Sequence, residues 1–131
     1  MICTSIEQSK HLLELGLSPD SADMEYCYID EFNSGLQVKC DINVEVDRKL
    51  DMMFGVTHIP AWSLSALLDV IPKECEPDIQ KSPISGVYFA HWFADGKPYI
   101  TDDHGNAVAA AYEMVCWLLE NNLIVKGGQD E

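Results

Sequence analysis

Three features of the chain predict an α+β fold, an antiparallel sheet of hairpins packed against about three to four helices in a single domain. Residues 36–47 alternate without a break, with Leu36, Val38, Cys40, Ile42, Val44 and Val46 apolar and Gln37, Lys39, Asp41, Asn43, Glu45 and Asp47 polar between them. That is the period of a strand with one face on a core and one in water, which favours antiparallel pairing over a buried parallel sheet. Asp95-Gly96 separates two strand-like runs, as a two-residue hairpin turn requires. Leu64, Leu67, Leu68 and Ile71 fall at i, i+3, i+4 and i+7, one face of a helix.

Thr4 and Ser5 precede Glu7 and Gln8 by three residues, the reciprocal capping arrangement of a helix start. Ile6, Leu12, Leu13 and Leu15 give that helix its apolar stripe, and Gly16 stands where a left-handed stop residue is wanted. Ser18, Pro19 and Asp20 read as cap, first position and dipole-compensating acid of a short second helical turn running to Met24. Two helices joined so closely could form a DNA-reading helix-turn-helix, but no Lys or Arg cluster follows to meet phosphate. Residues 26–29 are the expected partner of the alternating strand, with Asn33, Ser34 and Gly35 as the turn between them.

Ile59, Pro60, Ala61, Trp62 and Ser63 lead into the Leu64–Ile71 helical face, which Pro72 ends. Residues 72–83, with three prolines and mixed charge, read as an exposed loop. Strand character resumes over 86–93 and returns over 97–101. A helix over 106–122 is apolar around most of its circumference and is expected to be packed on more than one side and to form the centre of the core, with Trp117 a core residue. The domain is expected over residues 1–126, with 127–131 a flexible acidic tail.

The chain has 131 residues, enough for one core without metal or disulfide staples. Its formal net charge of -14, from 22 acidic against 8 basic side chains, repels nucleic acid and anionic lipid, so neither is an expected partner. Five scattered cysteines form no CxxC pair and no zinc-binding cluster, and they read as reduced core residues of a cytoplasmic protein. No apolar run reaches the length of a membrane span, and no cofactor is implied.

The densest polar cluster is Asp102, Asp103 and His104, with His91 on the strand before it. Carboxylates and imidazole can meet a metal, but adjacent residues project apart and nothing completes a ligand set, so capping of the following helix is the preferred reading. Ser63, Ser65 and Ser85 lie outside any GxSxG elbow, phosphate-binding loops are absent, and His11 and His58 have no catalytic neighbour in sequence. Trp62, Trp92 and Trp117 are read as core rather than as a ligand pocket. The outward row Asp41, Glu45 and Asp47 is mostly one sign and marks a candidate docking face for a basic protein.

Residues 5–24, 59–68 and 109–122 resemble a group of small proteins of gut anaerobic bacteria associated with phage or other mobile elements. That group brings no known activity and so carries no catalytic or binding residue onto this chain. The resemblance implies a setting in which small acidic proteins bind a host or element protein. A non-enzymatic accessory or interaction domain is therefore the leading expectation. A small enzyme with a site near Asp102, Asp103 and His104, and a mimic of polyanionic DNA, are the alternatives.

Overall fold

The structure, a computed structural model, describes residues 2–29, 36–38 and 56–124. It shows α+β architecture: α1 (Ile6–Glu14), β1 (Met24–Ile29), β2 (Leu36–Val38), β3 (Val56–Ala61), α2 (Leu64–Asp69), β4 (Asp78–Lys81), β5 (Tyr88–Ala94), β6 (Lys97–Ile100) and α3 (Ala107–Glu120). Among the described residues the strands form two three-stranded antiparallel sheets, ordered β2-β1-β3 and β4-β5-β6.

α1 starts as the capping box requires, because Gln8 N–H donates to Ser5 Oγ at 3.1 Å while Ser5 N–H donates to Gln8 Oε1 at 2.9 Å. It stops at Gly16, whose φ of 100° lets the Gly16 and Leu17 amides return to the Leu13 and Leu12 carbonyls. Asn122, at φ 59°, ends α3 by the same return, with Leu123 N–H donating to the Leu118 carbonyl. Proline at the first position makes 19–21 a single 3-10 turn, which ends before the expected Met24. Ala22 is already extended, and Met24 opens β1.

β1 pairs with β2 in the register Met24↔Val38, as the alternating pattern anticipates. The rest of that expected strand, with its turn at 33–35, lies outside the described residues, as does the expected tail at 127–131. Residues 59–63 lead into α2 with Ser63 as its cap, as expected, and residues 56–61 also form β3 beside β1, which the sequence pattern does not anticipate. Pro60, opposite Glu25, argues against a strand by sequence. Among the described residues, however, β3 stands at the edge of its sheet, and an edge strand tolerates a missing donor. The loop expected over 72–83 is corrected. Lys73–Cys75 forms a 3-10 turn with Cys75 buried, and β4 pairs with β5 from Asp78↔His91 to Lys81↔Tyr88. Backbone pairing outweighs the local proline signal there.

The core joins both ends of the chain. Trp62, fully buried, donates its indole N–H to Ser21 Oγ at 2.9 Å and its amide N–H to Thr4 Oγ1 at 3.1 Å. Thr4 and Ser9 are also buried and share a hydroxyl bond of 2.8 Å, so this polar network is satisfied in place and locks α1 against the end of β3. α3 supplies Ala110, Ala111, Met114, Val115, Leu118 and Leu119 to the centre. The helix thus lies at the centre of the core, as expected, but Trp117 does not, being only partly buried and packed against the core from its fringe. No helix among the described residues is long and apolar enough to cross a membrane.

Candidate functional site

Chemistry-bearing side chains gather around the second sheet. The turn Asp95-Gly96 has both residues at positive φ, 52° and 76°, as a tight hairpin with the right-handed twist demands, and it fixes the register of β5 and β6. On β5, Ala90, Trp92 and Ala94 face inward and are buried, which turns Phe89, His91 and Phe93 to the other face. Trp92 meets Tyr99 at 5.8 Å and Trp117 of α3 at 5.4 Å, closing the inner face with aromatic packing.

His91 sits mid-sheet on the outer face, between Asp78 on β4 and Ile100 on β6. Its Nε2 lies 3.0 Å from Asp78 Oδ2 and 3.1 Å from Gln80 Nε2. His104 is placed differently. Its backbone exchanges two hydrogen bonds with Tyr88, at 2.7 and 2.8 Å, and its Nε2 lies 2.8 Å from Glu113 Oε1 on α3. Glu113 Oε2 also accepts the Asp102 amide at 3.2 Å. One carboxylate thus pins the strand-to-helix connection from below, and His91 and His104 belong to separate pairs.

The expected capping by Asp102 and Asp103 is corrected by the same geometry. The cap of α3 is Asn106, whose side-chain oxygen accepts the Ala109 amide at 2.8 Å. Asp102 and Asp103 are exposed. No three His, Cys, Asp or Glu side chains among the described residues come together to hold a metal ion. The remaining histidines also face acids, His58 Nδ1 at 3.1 Å from Glu25 and His11 Nδ1 at 3.9 Å from Glu14. Asp41, Glu45 and Asp47 lie outside the described residues.

The nucleophile candidates are occupied or quenched. Ser63 Oγ donates to Asp23 at 2.5 Å and accepts the Ala66 amide as the cap of α2. Cys3, Cys75 and Cys116 are free and buried. Burial, with Glu74 beside it, pushes the Cys75 thiol up, and burial pushes Cys116 up to about 11, with Glu120 and Glu113 adding to the rise and a bond to Tyr112 opposing it. Both thiols are held in the unreactive protonated form at neutral pH.

The outer face also leaves apolar side chains open to solvent. Ile100 is 66% exposed, Phe93 40%, and Pro98, opposite Phe93, is exposed beside them. Exposed acids Asp78, Asp95, Asp102 and Asp103 stand on the strands and connections around this patch. Glu113 and the apolar members of the outer row, Phe93, Pro98 and Ile100, are the candidate residues that sequence reasoning missed. Glu113 had a signal, being the one charged residue between Ala107 and Leu119. The outer row had none, since both rows of β5 contain apolar groups. No protein-family model, curated protein or solved structure matches this chain.

Proposed function

We propose that this chain is a small acidic protein-interaction domain that docks a basic protein through the outer face of its second sheet. The observation that carries the reading is the uncovered cluster of Phe93, Pro98 and Ile100 in a chain of net charge -14. Apolar groups on a sheet face cost hydration free energy unless something covers them, and the surrounding acids select what does. The resemblance to proteins of phage and mobile elements supports a partner encoded by the element or its host. Three buried, unpaired thiols support a reducing, cytoplasmic setting.

The test is affinity capture from a bacterial lysate with the natural chain and with a Phe93→Lys/Ile100→Lys variant of unchanged melting temperature. The natural chain is expected to retain a basic protein at low salt and release it as salt rises, and the variant to lose it. Retention of no basic protein, or equal retention by the variant, overturns the reading.

A further inference from the structure

Phe93 also belongs to a second surface, a trough at the C-terminal end of α3. One recess, of about 420 Å³, has apolar walls that include Leu17, Val70, Pro72 and Leu123. A smaller one, of about 210 Å³, is bounded by Pro72, Cys75, Phe93, Ala94 and Leu123. Pro72 and Leu123 are common to both, so the recesses lie side by side across a shared ridge. Their charged lining is Asp69 and Lys73 in the first and Glu74 and Asp95 in the second, all four exposed.

We propose that this trough binds an extended segment of a basic partner, with one apolar side chain seated in each recess and the long, flexible stems of the intervening and flanking basic residues bending back to the exposed carboxylates of Asp69, Glu74 and Asp95. This rests on the basic-partner reading above and adds where the partner's chain runs. The shape argues for a chain. Side chains two apart in an extended peptide point the same way, about 7 Å apart, and so straddle a ridge that would divide a compact ligand. The larger recess falls in the range of small-ligand pockets and the smaller one below it, as two unequal anchors require. Charge argues for a basic one, since three acids stand against a single lysine in a chain that repels a second copy of itself.

The experiment uses a fluorescent peptide Lys-Leu-Lys-Leu-Lys with the full chain. Fluorescence anisotropy measures affinity, and amide chemical shifts locate the peptide. Burying two leucines predicts binding more than about tenfold tighter than that of Lys-Ser-Lys-Ser-Lys. The uncharged Ser-Leu-Ser-Leu-Ser is expected to bind more weakly than Lys-Leu-Lys-Leu-Lys. Shifts should centre on Val70, Lys73, Glu74, Asp95 and Leu123. The exposed substitutions Asp69→Asn, Glu74→Gln and Asp95→Asn together should weaken binding several-fold with the fold intact, and Ile100→Lys should leave it unchanged. Equal binding of the serine peptide, equal binding of the uncharged peptide, shifts centred on Ile100, or no binding at all each overturns the trough proposal. Capture of a basic protein that Phe93→Lys/Ile100→Lys abolishes, with no peptide binding, would sink the trough alone. Peptide binding without any captured basic protein would sink the proposed function alone.

Discussion

On the inner face of the second sheet, Ala90, Trp92 and Ala94 are 0%, 2% and 6% exposed, while across the same strand Phe93 is 40% exposed and Ile100 beside it 66%. Large apolar side chains thus stand on both faces of that pairing, and only those on the inner face are covered. The inner row is small where it must be, since Ala90 and Ala94 leave room on either side of Trp92 for the ring stack with Tyr99 and Trp117 and for the approach of α3. Hydrophobicity alone therefore does not decide which face of a strand becomes core. Shape complementarity to the neighbouring helix does, and the bulk left over becomes a surface that a second molecule can cover.

The largest expected effect lies on the inner face. Trp92→Ala should cost on the order of 3–5 kcal/mol, measured by urea denaturation, because it opens a cavity between β5 and α3. Trp92→Phe sharpens the point. The Trp92 indole N–H is buried without a hydrogen-bond partner, so removing it offsets part of the lost contact area. The cost should be well below that of the Ala variant, because most of the ring contact is kept. A Phe variant as unstable as the Ala variant would show that the part of the indole beyond a single ring carries the contact.

A middle-sized effect belongs to the clamp between the sheet and the helix. Glu113→Ala removes the acceptor of both the Asp102 amide and the His104 ring, and should cost about 1–2 kcal/mol by the same measurement. Asp103→Ala, exposed and without a capping bond in α3, should change stability by less than about 0.5 kcal/mol. Equal losses for the two would restore Asp103 as a structural acid.

Alkaline pH probes the same helix one turn further on, at Cys116. Burial raises Cys116 from its ordinary 9.0 to about 11 in the folded chain. A group whose folded value is raised contributes stability that is complete below the unfolded value and is lost as pH climbs toward the folded one. The denaturation midpoint should therefore fall between about pH 9 and 11, and Cys116→Ala should flatten that fall. Tyr112, also pushed up by burial, contributes in the same direction.

The smallest expected effect is on the outer face. Ile100→Thr keeps a β-branched strand residue and removes exposed apolar surface, so its stability should stay within about 0.5 kcal/mol of the natural chain. A loss above about 2 kcal/mol would place Ile100 in the core, and the contrast between the two faces would collapse.

Much of the fold was legible because it is written locally. The Ser5 and Gln8 capping box, the Gly16 stop, the Ser63 cap, the Asp95-Gly96 turn and the apolar face of α2 each depend on residues within a few positions of one another. β3 and β4 were not legible. Pro60 and the prolines around β4 are adverse locally, and only pairing with Glu25 of β1 and with β5 makes those segments strands. The candidate site was read less well for the same reason. Asp102, Asp103 and His104 stood out as a cluster in the chain, yet His91 turned to Asp78 on one face and His104 to Glu113 on the other. The sequence by itself determined the periods, caps and turns, because these are set by backbone sterics and short-range hydrogen bonds. Tertiary structure alone decided which row of β5 is buried, which acid each histidine meets and which apolar groups stay uncovered. Those outcomes depend on which distant surfaces fit against one another, and no single segment encodes that fit.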